Sequence, residues 1–170
     1  MKRSKILDSG QIKRKLERMA RQLLEVHYNE KELVLLGVDG NGIEVAKRLE
    51  AILNKIGKMP VRLESIKLNK KKPLDSEIKS SFEESSLTGK TVIVIDDVLN
   101  SGRTLIHAVK HVLEFNPKGI YTAILVDRIH RSFPVRADYC GLSLSTHLNQ
   151  HISVNLNSAD NSKDEVYLDL

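Results

Sequence analysis

Apolar and polar positions follow two rhythms along this chain, and the rhythms divide it into elements. From Gln11 to Val26, "QIKRKLERMARQLLEV" places Ile12, Leu16, Met19, Leu23 and Val26 on one stripe opposite a strongly basic side. That spacing predicts an amphipathic helix with its stripe packed and its basic side in water, capped by Asp8 or Ser9. "ELVLLGV" is a continuous apolar run and predicts a buried strand. "DGNG" then predicts a tight turn, and "IEVAKRLEAILNKI" the next helix. Strand, glycine turn and helix in that order make a crossover unit.

"MPVRLESIKL" alternates as a second strand. The stretch "NKKKPLDSEIKSSFEESSLTGK", residues 69–90, is polar and weakly patterned, and is expected to form a mobile loop or hairpin. "TVIVIDDV" is the most apolar strand and is expected at the sheet's centre, covered on both faces. "SGRTLIHAVKHVLEF" predicts a helix with Leu105, Ala108, Val109 and Val112 facing inward. "GIYTAILVD" is a further buried strand, and "RIHRSFPVRADYCGLSL" reads as loop with a short strand. Near the end, Ile152, Val154 and Leu156 alternate as an edge strand, with a hairpin across "NSADNSKDE". The fold class is α/β, a mainly parallel central sheet flanked by helices. Ligands in such sheets bind at the strands' carboxyl ends, which brings "DGNG", "DDVLNSGRT" and "DRIHR" side by side.

Composition narrows the functional classes. A chain of 170 residues is expected to form one domain over 1–170, and 41% hydrophobic with 29% charged residues is the composition of a globular chain rather than a disordered one. No apolar run approaches bilayer length, and "MKRSKILDSG" lacks the apolar core of a secretory signal, so a cytoplasmic location without a membrane partner is expected. Cys140 is the single cysteine, which excludes an internal disulfide; a buried, inert thiol is expected. His107 and His111 share a helical face without further ligands nearby, so no protein metal site is expected. The net charge of +5 favours an anionic partner, nucleic acid or a small phosphate-bearing ligand, without choosing between them. Aromatic residues, at 4%, offer no base-stacking platform.

The chemistry concentrates in "VIVIDDVLNSGRT". At a strand end the chain turns, so adjacent Asp96 and Asp97 can both reach one cleft. The loop after them enters a helix whose first backbone N–H groups lack intrahelical partners and suit a phosphate. Gly102 allows close backbone approach, and Ser101 and Thr104 supply hydroxyl donors. A sugar phosphate fits this arrangement. Acids before small residues can also serve merely as a helix cap.

The full stretch resembles the diphosphoribosyl-binding signature of the type I phosphoribosyltransferases: four apolar residues, two acids, a short bridge and a small-residue phosphate loop. "AILVDRIHRSFPVRADYCG", with the opening helix, "LVLLGVDGNGIEVAKRLE" and "PVRLESIKL", is similar to the bifunctional pyrimidine-operon regulators and uracil phosphoribosyltransferases of that family, so the likeness covers nearly the whole chain. The resemblance implies a type I phosphoribosyltransferase fold with a small irregular hood. It implies 5-phosphoribosyl-1-diphosphate bound with Mg²⁺ and transfer of phosphoribosyl to uracil or a related base. Asp96 and Asp97 would then engage the ribose, Asn100, Ser101, Gly102, Arg103 and Thr104 the 5-phosphate, and Asp39, Gly40, Asn41 and Gly42 the pyrophosphate. Asp127 and Arg128 would lie beside the nucleobase. Asp96, Asp97 and Arg128 are the catalytic candidates.

Two departures bear on catalysis. Active relatives carry an arginine in the first crossover turn, where this chain has Asn41; a cation is missing where negative charge leaves. The arginine that ends their second strand is replaced by "LNKKKPLD", whose Lys70, Lys71 and Lys72 supply point charges without the bidentate fork. The alternative reading is therefore a catalytically weak nucleotide-sensing or RNA-binding regulatory module, binding phosphoribosyl diphosphate or a nucleoside monophosphate. RNA contact is the relatives' second activity, and by resemblance it would use Arg18, Arg21, Arg131 and Arg136. Against it, Glu17 stands in place of a threonine and Leu142 in place of a lysine. A homo-oligomer is also implied.

Overall fold

The computed structural model describes residues 3–69, 77–147 and 149–169. Lys70, Lys71 and Lys72 lie outside the described residues, as does the 70–76 part of the segment expected to be a loop. A six-stranded sheet runs in the order β4-β3-β2-β5-β6-β7, built from β2 (Leu33–Val38), β3 (Val61–Lys67), β4 (Lys79–Ser80), β5 (Thr91–Leu99), β6 (Gly119–Asp127) and β7 (Tyr139–Ser143). All its pairings are parallel except β3 with β4. The two-residue β4, together with the buried side chains of Phe82 and Leu87, fastens the segment after residue 76 to the sheet edge.

Period-2 alternation fills both faces of this sheet, because strand side chains point alternately up and down. Leu33, Leu35, Ile93, Ile95, Ala123 and Leu125 join one core, under α1 (Ser9–His27) and α2 (Asn41–Ile56). Val34, Leu36, Val38, Val92, Val94 and Ile124 join the other, under α3 (Arg103–Leu113). Each such fully buried Leu or Ile contributes roughly 1.5–3 kcal/mol.

The helix ends follow local chemistry. Asp8 caps α1: its Oδ1 accepts the Gln11 N–H at 2.7 Å, and Gln11 Oε1 accepts the Asp8 N–H at 2.9 Å. The expected stripe is corrected at its last turn, where Val26 is exposed and His27 is buried instead. The reason is a polar contact: the His27 ring shares a 2.8 Å hydrogen bond with the Tyr139 hydroxyl and packs edge-on against Tyr121.

A second, antiparallel sheet in the order β1-β9-β8 forms from β1 (Arg3–Leu7), β8 (His151–Asn155) and β9 (Glu165–Asp169). The sequence reading anticipated β8 as an edge strand and the hairpin after it, but left β1 unassigned. Arg48 of α2 fixes this sheet to the main body. It pairs with buried Asp164 at the turn before β9 and donates to the Asn157 carbonyl at 3.1 Å. Asp164 also accepts the Asn157 N–H at 2.8 Å, which closes the hairpin. The small sheet is thereby held over the carboxyl ends of the main strands. Among the described residues no helix is long and apolar enough to cross a membrane.

Candidate functional site

β5 pairs with β6 as far as Leu99 opposite Asp127, so the acid pair lies just inside the end of the strand. Asp96 is 4% exposed; its Oδ1 accepts the Asp97 N–H at 3.0 Å. Asp97 is half-buried, and its Oδ1 accepts the Val98 N–H at 2.9 Å. The chain then turns through Asn100, Ser101 and Gly102, the last at φ +85° as the N-cap of α3. A glycine has no side chain to cap with, and the helical ladder starts only at Ile106, whose N–H donates to the Gly102 carbonyl. Of the first-turn N–H groups of α3, which precede that ladder, that of Arg103 donates to Ser101 Oγ at 3.3 Å; a helix start of this kind suits an anion.

Two cavities flank this turn. One of about 40 Å³ is lined by Asp96, residues 98–105 and Ile124. The other, of about 320 Å³, lies between Asp96, Asp97, Ser101, Arg103, Thr104 and Ile152 of β8. The expected acids and phosphate-loop residues thus converge on one cleft, roofed by the small sheet. Gly102 is required on a second count, since a Cβ there would lie 2.5 Å from the Val135 side chain. The strap carrying Val135 is anchored to the loop: Ser132 and Phe133 N–H groups donate to the Ser101 carbonyl at 2.9 and 3.1 Å, and Arg103 lies over the Phe133 ring.

The turn before α2 meets the same acids. Gly40 has φ +92°, and a Cβ on Gly42 would lie 2.8 Å from the Ile95 carbonyl oxygen and 3.1 Å from Asp96 Oδ1. Only glycine at 42 lets the first turn of α2 approach the acid pair this closely. Asn41 uses that proximity: its Nδ2 donates to Asp97 Oδ2 at 2.9 Å and to the Val154 carbonyl of β8 at 2.8 Å. Asp39 turns elsewhere, half-exposed and 3.6 Å from Lys67 of β3.

Arg128 follows Asp127 directly after the end of β6. Its side chain points into the protein, 7% exposed, and joins three segments. Nε donates to Thr146 Oγ1 at 2.9 Å, Nη1 to Asn100 Oδ1 at 2.9 Å, and Nη2 to the carbonyls of Gln150 at 2.7 Å and His147 at 3.3 Å. Burial pulls its pKa below the ordinary value. With four of its N–H donors in these bonds, Arg128 braces the phosphate loop and the chain leading to β8. Asp127, 4% exposed, accepts the Ile129 N–H at 2.9 Å and pairs with Arg131.

The other arginines expected to meet RNA divide similarly. Arg18 donates to the carbonyls of Cys140 and Gly141 at 2.8 and 2.7 Å, bracing α1 against β7, and Arg136 pairs with Asp138. Arg21 is exposed, with no hydrogen bond or ion pair among the described residues. A groove of about 510 Å³ beside it, not foreseen from sequence, is lined by Gln11, Arg14, Lys15 and Arg18 with Ile6, Leu7 and Leu142. Cys140, expected buried, is only half-buried, its thiol 3.7 Å from Ser143 Oγ.

Among the described residues, no group of three or more His, Cys, Asp or Glu is placed to hold a metal; Asp96 Oδ1 and both Asp97 oxygens accept N–H bonds. Sequence reasoning missed Asn41's bridge, the Val135 strap and Ile152. Each depends on contacts made between distant parts of the chain.

With an acid pair at a strand end, a glycine-capped phosphate turn and a roofing sheet in place, comparison with known proteins defines the class. The phosphoribosyl transferase domain matches residues 2–159, and the chain belongs to that family. Within it, the chain is 35% identical to the Bifunctional protein PyrR of Bacillus pumilus over 164 residues, covering 91% of each chain. It is likewise 35% identical to that of Alkaliphilus metalliredigens, covering 96% of this chain and 93% of the relative, and 33% identical to that of Haemophilus ducreyi, covering 88% and 87%. Among solved structures, a hypoxanthine phosphoribosyl transferase from Trypanosoma cruzi superposes with a TM-score of 0.76 at 20% identity, covering 98% of this chain and 91% of the other. A hypoxanthine-guanine phosphoribosyltransferase from Bacillus anthracis gives 0.68 at 23% identity, covering 86% of each. These structural likenesses carry the fold.

Proposed function

We propose that this chain is a nucleotide-sensing regulatory protein of the phosphoribosyltransferase family, binding a ribose 5-phosphate moiety at the α3 turn and turning over slowly. The observation that carries this reading is the Asn41 bridge. The resemblance puts a pyrophosphate-binding arginine at that position; here a neutral amide spends both its N–H donors on Asp97 and Val154. A transferase must stabilise the charge that builds on departing pyrophosphate, and donors already used within the protein contribute nothing new in the transition state. The nearest described cation on β3, Lys67, faces Asp39. The phosphate turn, by contrast, brings Ser101, Arg103 and Thr104 to the wall of the cleft. The ligand would be a nucleoside monophosphate, bound in the cytoplasm, with the basic groove of Gln11, Arg14 and Lys15 and the exposed Arg21 available to an RNA partner.

The second reading, phosphoribosyl transfer to uracil, is favoured by the completeness of the acid pair and phosphate turn. Mg²⁺ would enter with the diphosphate rather than occupy a protein site. One experiment separates the two. The purified protein is incubated with phosphoribosyl diphosphate, Mg²⁺ and a panel of nucleobases, while nucleotide formation and nucleoside monophosphate binding are measured together. Tight monophosphate binding with little product supports the sensor; rapid nucleotide formation overturns it in favour of the transferase.

A further inference from the structure

A cavity of about 370 Å³ opens between α1, α2 and the hairpin that joins β8 to β9. Its volume lies at the lower end of the roughly 300–1,000 Å³ typical of ligand pockets. None of its lining residues belongs to the two cavities beside the phosphate turn, so it is a separate place in the fold. Ile12 and Leu16 of α1 and Ile52 of α2, all part of the core packing, give it an apolar floor. Ala51 has only a methyl group to fill the α2 side, and Asn161 and Ser162 of the hairpin close the third.

Charged side chains also line the cavity, and they divide into two pairs. Arg48 and Asp164 are spent: they pair with each other, and Arg48 also meets Glu44 at 3.3 Å and the Asn157 carbonyl at 3.1 Å. Lys13 and Glu17 have no ion pair or hydrogen bond among the described residues. They stand one helical turn apart on α1, but with lysine on the N-terminal side, the less favourable order for such a pair. Two opposite charges therefore stand open to an outside partner beside an apolar floor. We propose that this cavity binds an apolar α-amino acid, with its carboxylate on Lys13, its ammonium group on Glu17 and its side chain over Ile12, Leu16 and Ile52. A simple carboxylic acid or amine would leave one of the two charges unmatched. A phosphate ester would be repelled by Glu17 and leave the floor uncovered. The inference stands apart from the nucleotide reading and does not depend on it.

The test is calorimetric titration of the full chain with L-leucine and with two analogues that each lack one charge. These are 4-methylpentanoate, without the ammonium group, and 3-methylbutylamine, without the carboxylate. L-Leucine should bind at least about fivefold more tightly than either analogue, and should lose about fivefold in Lys13→Ala and again in Glu17→Ala. Ala51→Phe, whose ring fills the α2 side of the cavity, should abolish binding, with the melting temperature of all three variants unchanged. An analogue that binds as tightly as L-leucine, or L-leucine binding that survives Ala51→Phe, would overturn the proposal. So would the absence of binding by both L-leucine and L-phenylalanine. Sedimentation velocity covers the remaining occupant: a dimer formed by the wild type and not by Ala51→Phe, without L-leucine binding, would assign the cavity to a second copy of this chain instead.

Discussion

Asn41 and Asp97, 56 residues apart in sequence, share a 2.9 Å hydrogen bond that ties the start of α2 to the acid pair of β5. The same amide holds Val154, so one side chain connects two strand ends and the small sheet. Asn41→Ala leaves a carbonyl and a carboxylate oxygen without this donor, and the expected loss of stability is about 1–2 kcal/mol, read from urea denaturation. Asn41→Arg places a cation beside the acids, and its expected signature is tighter binding of phosphoribosyl diphosphate relative to uridine 5′-monophosphate. An unchanged preference would remove Asn41 from the account of ligand choice.

Thr104 and Gly102 test the phosphate turn differently. Thr104→Ala deletes one hydroxyl from the cleft wall, and ribose 5-phosphate affinity should fall by about 1–2 kcal/mol with the fold intact, since a hydrogen bond to a charged group is worth roughly that much. Gly102→Ala meets both a positive φ and a Val135 methyl 2.5 Å away, so it should destabilise the protein by about 1–3 kcal/mol as well as weaken binding. Titration paired with thermal denaturation distinguishes the two effects. Equal melting temperatures for wild type and Gly102→Ala would contradict the close packing of the strap.

The strands and helices of the main sheet were legible because their apolar residues obey the 2.0 and 3.6 periods without interruption, and "DDVLNSGRT" was legible because its chemistry is contiguous. Asp8 or Ser9 marked the start of α1 for the same local reason. β1 escaped notice because "RSKIL" is short, largely exposed and stabilised by pairing with β9 some 160 residues away, a partner that no local pattern reveals. The inward turn of the Arg128 side chain was hidden on the same ground. Its position after a strand-end acid marks it as part of the site, but whether its guanidinium faces a ligand or the protein depends on Asn100, Thr146 and Gln150 arriving around it. His27 took Val26's expected place through a hydrogen bond to a residue on β7.

Arg128 should behave as a keystone. Replacing it with methionine strips a donor from Thr146, Asn100 and two backbone carbonyls at once, and the expected cost is on the order of 3 kcal/mol. Arg128→Lys retains the charge but cannot span three segments, so it should recover less than half of that loss. Chemical denaturation of both variants measures the difference. If Arg128→Met unfolds at the wild-type midpoint but loses nucleotide binding, the side chain contacts ligand and the positioning role is wrong.

His27 sets a pH dependence whose sign is fixed by its surroundings. Burial pushes its pKa below the ordinary 6.5; nearby Glu30 acts in the opposite direction, while Lys118, paired with Glu30 at 2.9 Å, adds to the lowering. The unfolded chain therefore binds more protons than the folded one as pH falls below 6.5, and stability drops through that window until the folded histidine itself is protonated. Tyr139, hydrogen-bonded to His27, has its pKa raised to about 12, so it remains a neutral phenol throughout. The expected outcome is a melting temperature that declines between pH 7 and pH 5, with a smaller decline in His27→Gln, which keeps a polar group beside the tyrosine hydroxyl but does not titrate. An identical decline in both proteins would assign the acid sensitivity to the surface carboxylates instead.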